Sequence, residues 1–205
     1  MREKKISQAL IDETIRFHGH SCPGLAIGIR ASEVALQEFE RATDEEVVAV
    51  VETDMCAVDA VQYLTGCTFG KGNLIHLDYG KTAFNFYRGS DERGIRIVKR
   101  PEPPEEADND MTALQKKQMT GETLTHEEEA LMTRGRASRI ARIMSANLED
   151  LFEVQSAEGP IPKKARILES LTCEACGERV METRTRRFKS RTLCMPCFEA
   201  EEKRV

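Results

Sequence analysis

Apolar residues fall at helical spacing near the start of the chain, with Ile6, Leu10 and Ile15 in register and Phe17 just after. The segment FHGHSCPG then breaks the pattern with Gly19, Pro23 and Gly24. Pro23 suits the first turn of a second helix, predicted to reach residue 39, which sets Cys22 at its N-terminus. The run VVAVV over 47–51 shows no polar alternation, the pattern of a strand buried on both faces. Asp54 is read as the cap of a third helix that runs to residue 64 and stops at Gly66. LIHLDY, TAFNFYR and IRIVK follow, joined by a Gly80-Lys81 turn and a loop over 90–94, and connections this short predict an antiparallel meander.

The stretch PEPPEEADND, residues 101–110, holds three prolines and five acids and reads as a solvated connector. Beyond it a short helix is predicted over 112–119. Thr125 and Glu128 then form a capping box for a long helix. Leu131, Ile140, Ile143, Met144, Leu148, Leu151 and Phe152 make one apolar stripe along that helix, to pack on the core or on a second copy of the chain. Gly159, Pro160 and Pro162 lead into a cysteine-bearing tail. The fold class expected is α+β, helices packed on a mostly antiparallel sheet, with a core over 1–158 and a small C-terminal treble-clef zinc finger over 170–205.

Composition narrows the function classes. Hydrophobic residues are 40% of the 205, the range of a globular chain. The 35 acids outnumber the 30 Lys and Arg, giving a net charge of -5, so any nucleic-acid contact must be a local patch. The longest uncharged stretch, residues 60–70, falls well short of a membrane span. Asp12 and Glu13 interrupt the start before a signal-peptide core could form, so the chain is expected in the cytoplasm without membrane contact. Its seven cysteines divide three and four between the two ends, which in a reducing compartment favours metal ligands or reactive thiols over disulfides.

Four of them, Cys173-x2-Cys176 and Cys194-x2-Cys197, have the spacing of a four-thiolate zinc module. Four thiolates fill the coordination of Zn2+, so the expected zinc is structural and supplies folding free energy to a tail too short for its own core. Gly177 suits a knuckle, residues 178–193 read as a hairpin, and CMPCFEAEEKRV reads as a helix. Between the pairs stand Arg179, Arg184, Arg186, Arg187, Lys189 and Arg191. This strip either compensates the negative zinc centre, contacts an acidic protein, or contacts phosphates.

In the core, His18, His20 and Cys22 lie within five residues at a turn opening a helix, where imidazoles and a thiolate can bind a second transition metal. Cys56 and Cys67 also sit at predicted helix ends. Each is equally a small buried hydrophobe. A third arrangement takes Cys22 as a nucleophile with His18 or His20 as base, although no Asp or Asn announces itself as the orienting member. GCTFGKGN lacks the glycine spacing and the Ser or Thr of a phosphate loop, so nucleotide hydrolysis is excluded.

FHGHSCPG, ETDMCAVDAVQYLTGCTFGKGNL, HLDYGKTAFNFYR and NLEDLFEVQ occur in that order within about residues 5–155. Together they resemble the FmdE family of formylmethanofuran dehydrogenase proteins, some members of which carry an added treble-clef zinc finger. The resemblance implies an α+β core, tightly intertwined homodimers, and association with the subunits of a molybdenum or tungsten formylmethanofuran dehydrogenase in methanogenesis or related one-carbon metabolism. It carries over His18, His20, Cys22, Cys56 and Cys67 as core site residues and implies no established reaction. The expected function is a metal-binding accessory subunit of such a redox system. The alternative is a zinc-finger regulatory or nucleic-acid-binding adaptor.

Overall fold

The computed structural model describes residues 6–43, 46–102, 109–158, 160–163 and 166–203, and the chain divides into two compact units, 1–164 and 165–205. Most of the acidic connector, 103–108, lies outside the described residues. In the first unit, α1 (Gln8–His18) is capped by Ser7, whose hydroxyl accepts from Leu10 N–H, and ends at Gly19 with φ 94°. α2 (Pro23–Glu38) starts with Cys22 as N-cap and Pro23 in its first turn. Every residue of α2 from Leu25 to Ala35 is buried. Arg30 and Glu33 pair there as ions, and Arg30 also donates to the carbonyl of Ala146.

β1 (Val47–Val51) is buried along its whole length, as its apolar run requires. α3 (Ala57–Thr65) ends at Gly66, in the left-handed conformation with φ 75°. Its N-cap is Cys56 and not Asp54. Thr53 Oγ1 instead accepts from Met55 N–H, and Val58 N–H returns to Met55 O, so the chain makes an extra turn before the helix begins. β2 (Leu74–His76), β3 (Ala83–Arg88), β4 (Arg93–Lys99) and β5 (Phe152–Ser156) complete a five-stranded sheet of order β2-β1-β3-β4-β5.

The expected meander of three strands holds only for β3 and β4, and β5 joins β4 antiparallel from much further along the chain. β2 pairs with β1 in parallel, with Ala49 opposite Leu74, and β1 stands between β2 and β3. A strand apolar on both faces gains most with a neighbour on each side, and β1 has β2 and β3. The link from β2 to β3 crosses its end, where Leu77 N–H and Lys81 N–H donate to Val51 O and Glu52 O.

α4 (Asn109–Met119) precedes α5 (His126–Ser145), whose capping box from Thr125 and Glu128 is formed. The long stripe does not run along one helix: α5 stops before Ala146, a single turn α6 (Leu148–Leu151) follows, and Phe152 opens β5. Asn147 N-caps α6 in extended geometry, which breaks the helix between the two halves of the stripe. Ile143 and Phe152 enter the main core, with Ile140, Met144, Leu148 and Leu151 packed against it. From Ile140 to Phe152 the stripe therefore packs on the chain's own core. Among the described residues no helix is long and apolar enough to cross a membrane.

The second unit has two hairpins in place of the single one expected over 178–193. β6 (Ser170–Thr172) pairs with β7 (Arg179–Met181), and β8 (Thr185–Phe188) pairs with β9 (Arg191–Cys194). A 3-10 turn at Glu182–Arg184 separates them, and α7 (Met195–Glu202) closes the unit. Lys189 and Ser190 both have positive φ, 47° and 62°, the geometry of a tight two-residue hairpin turn. Leu193, Val180 and an edge-to-face pair of Phe188 and Phe198, with ring centroids 5.6 Å apart, form a small apolar cluster with the cysteines.

Candidate metal centres

The first cluster is built from the ends of three helices. Gly19 terminates α1, so His18 is its last residue, and the turn through His20 leads to Cys22 at the start of α2. The metal-binding atoms of His18, His20 and Cys22 all lie within 4.8 Å of one another. The two imidazoles stack at 4.5 Å between centroids. Cys22 Sγ accepts the N–H of Leu25 at 3.3 Å, the N-cap bond that a serine would make, and faces His18 Nε2 at 3.9 Å.

The other nitrogen of His18 is held by a residue that the sequence did not single out. Asp59 Oδ2 lies 2.7 Å from His18 Nδ1, across 41 residues. A carboxylate there accepts, so Nδ1 carries a proton and Nε2 is turned toward Cys22. This is the arrangement by which a carboxylate orients a metal-binding histidine. It also lines up thiol, imidazole and carboxylate in the order of a nucleophilic triad. The one sequence signal for Asp59 is its place in the first turn of α3, three residues after Cys56.

Cys56 reaches the cluster because α3 crosses α2 over glycines. A Cβ on Gly28 would stand 2.3 Å from Ala57 O, so only glycine permits the crossing. A Cβ on Gly24 would stand 3.8 Å from Cys56 Sγ and 3.9 Å from Cys22 Sγ, so the two sulfurs flank that position. Burial first, and then the hydrogen bond and charge of Cys22, push the Cys56 thiol up from its ordinary pKa. A cleft of about 470 Å3 opens beside this group, lined among others by His18, Cys56, Asp59, His76, Asp54 and Phe69.

Cys67 does not join it. Its thiol is fully buried and donates to Val47 O at 3.4 Å, and burial pushes its pKa up. Its grouping with the core ligands is corrected: it fills space against β1 and satisfies a backbone carbonyl.

The second cluster is the cysteine quartet. All four sulfurs of Cys173, Cys176, Cys194 and Cys197 lie within 4.8 Å of one another, with Cys176 and Cys194 at 4.0 Å. Four sulfurs bound tetrahedrally to zinc stand about 3.8 Å apart, given Zn–S bonds of about 2.3 Å. Gly177, with φ 77°, returns its N–H to Cys173 O to form the knuckle. Backbone amides of Cys176, Cys194 and Ala175 pull the Cys173 thiol down to about 6, while the crowding of Cys194 and burial push Cys197 up to about 12. One sulfur readily ionises and its neighbour cannot follow without a cation among them, which is the chemistry a dication satisfies. These residues fit zinc.

Around the quartet, Arg179, Arg184, Arg186, Arg187 and Lys189 are exposed. Arg191 is committed to Glu201 at 3.0 Å and to the carbonyl of Glu174.

Known proteins resemble both units. The family described as FmdE, molybdenum formylmethanofuran dehydrogenase operon, matches residues 17–153. The prokaryotic dksA/traR C4-type zinc finger matches residues 166–203. A protein of Archaeoglobus fulgidus named probable S-adenosyl-L-methionine-binding protein is 30% identical over 212 residues, covering 95% of this chain. The chain spans about half the length of that relative, 54%. The crystal structure of a tungsten formylmethanofuran dehydrogenase FmdE-like protein from Syntrophus aciditrophicus aligns with a TM-score of 0.60 at 23% identity, over 98% of this chain and 97% of that one. The fold is shared.

Proposed function

Since the chain belongs to the FmdE family, we propose that it is a metal-binding accessory subunit of a molybdenum- or tungsten-dependent formylmethanofuran dehydrogenase-like redox system. In this reading it works as a homodimer, and its C4-type finger is a structural zinc module that contacts partner subunits. The observation that carries the reading is the convergence of His18, His20 and Cys22, their donor atoms within 4.8 Å, with Asp59 orienting His18. Imidazole and thiolate donors of this kind suit a transition metal, and Cys56 supplies a further thiol beside Cys22. The chain's own residues hold and orient the ion, while Phe69 and His76 border the cleft through which a ligand would approach it.

Elemental analysis of anaerobically prepared protein tests this directly. More than one metal equivalent per chain is expected, since zinc in the finger saturates its four thiolates. Cys22→Ser should remove the excess and spare the finger zinc. A single equivalent in both proteins would sink the core site.

A second reading, a nucleic-acid-binding adaptor, is favoured by the five exposed cations around the finger. It requires binding that weakens as a power of salt concentration, with a shallower slope in the Arg186→Ala, Arg187→Ala variant. Absence of DNA and RNA binding at low salt removes it.

A further inference from the structure

We infer that Cys22 and Cys56 form a redox-active dithiol, which closes to an intrachain disulfide on reaction with a hydroperoxide. The inference shares residues with the metal reading but does not rest on it. Both cysteines occupy N-cap positions, of α2 and α3, and the crossing of these helices at Gly28 and Ala57 is too tight to admit even one added methyl group. Their sulfurs flank the same point above Gly24, at 3.9 and 3.8 Å. Both side chains are half-buried, and Cys56 lines the cleft, so a small oxidant can reach the pair, whereas Cys67 is sealed in the core.

The surroundings assign the two sulfurs different parts. Cys22 Sγ receives Leu25 N–H and faces His18 Nε2, while His18 Nδ1 is held by Asp59. Cys22 is therefore the attacking thiol and Cys56 the resolving one. The Cys22 proton passes to His18 Nε2, and the sulfur attacks one oxygen of hydrogen peroxide. An S–O bond forms, the O–O bond breaks, and the departing hydroxide takes the proton from His18 and leaves as water. Cys22 is then a sulfenic acid, oxidised by two electrons, and the peroxide has been reduced by two. Cys56 next attacks that sulfur: the S–S bond forms, the S–O bond breaks, and hydroxide leaves with the Cys56 proton as a second water. Two thiols and one peroxide give one disulfide and two waters.

The test uses the full chain, reduced, treated with chelator, freed of reductant and exposed to one equivalent of hydrogen peroxide. Remaining thiols are blocked, and a tryptic digest is mapped by mass. The expected product joins peptide 17–30 to peptide 42–71, two hydrogen atoms lighter than the separate peptides. Because peptide 42–71 holds both Cys56 and Cys67, the link must persist in Cys67→Ala and vanish in Cys56→Ser. Cys56→Ser should instead retain a Cys22 sulfenic acid that dimedone traps. The inference is overturned by a link that survives in Cys56→Ser, by a link between chains on a non-reducing gel, or by oxidation of Cys22 to sulfinic acid with no link. A missing core metal with the link intact defeats only the metal reading, and a full metal count without the link defeats only this one.

Discussion

Asp59 is the residue on which the core cluster turns. It fixes the tautomer of His18 through a 2.7 Å hydrogen bond, so an amide at this position would leave the imidazole free to present either nitrogen. Asp59→Asn is expected to weaken core metal binding by about 10- to 100-fold while leaving the thermal transition nearly unchanged, because Asp59 is partly exposed. Competition with a coloured chelator measures the first effect and calorimetry the second. Unchanged affinity would mean that His18 needs no orienting partner. Glu52 offers a different test, on stability. Burial pushes its carboxyl up, but hydrogen bonds from Arg96 and Asn85 and the charge of Arg96 outweigh this and hold it below the usual range. A carboxyl lowered on folding contributes stability that is full above its unfolded pKa, about 4.3, and is lost as pH falls through the folded value. Glu52→Gln should therefore cost about 2 kcal/mol at pH 7 and flatten the loss of stability between pH 5 and pH 3 in urea titrations. A slope equal to that of the unaltered protein would contradict the assignment. His18, His20 and Cys22 were legible in the sequence because they are neighbours in the chain. Asp59 was not, because its bond spans 41 residues and an acid in a helix's first turn has an ordinary reason to be there.

At the scale of elements, the approach of α3 to α2 decides whether Cys56 meets Cys22. Gly28→Ala would place a Cβ 2.3 Å from the backbone oxygen of Ala57, and neither helix backbone can yield cheaply. The expected loss is about 3 kcal/mol, read from urea denaturation, together with a change in the reactivity of Cys56 toward alkylation. A loss below about 1 kcal/mol would show that the crossing relaxes without penalty. The helices were readable from caps and punctuation: Pro23 after Cys22, Gly66 after Thr65, Thr125 with Glu128. Strand order was not. LIHLDY and TAFNFYR are close in sequence and look like a hairpin, yet local turn residues say nothing of a third strand inserted between them. The same limit hid the break at Asn147, since intervals of three and four continue across it although the helix does not.

For the whole molecule, the four-cysteine finger is expected to melt as a unit. Cys176→Ser should release one zinc and make residues beyond 165 sensitive to protease, while the core keeps its secondary structure and its oligomeric state. Loss of the core transition in that variant would show that the units do not fold independently. Sedimentation at micromolar concentration settles the proposed homodimer, and a stable monomer would overturn it. The two-part organisation could be read from the division of the cysteines, because four of them at paired spacing mark a metal-held tail. The proposed dimer rests on the family alone, since the stripe of α5 and α6 from Ile140 onward packs on the chain's own core. The burial of α2 has one more consequence. A helix covered over eleven consecutive residues opens only when the whole core opens, so its amides should be among the last to exchange with solvent. The sulfur of Cys22 is anchored to that slowest-opening element and His18 ends α1 against Asp59, while His20 stands on the turn after Gly19. Any adaptation of the centre to ligands of different size must then come from His20, with the sulfur and His18 as the fixed points.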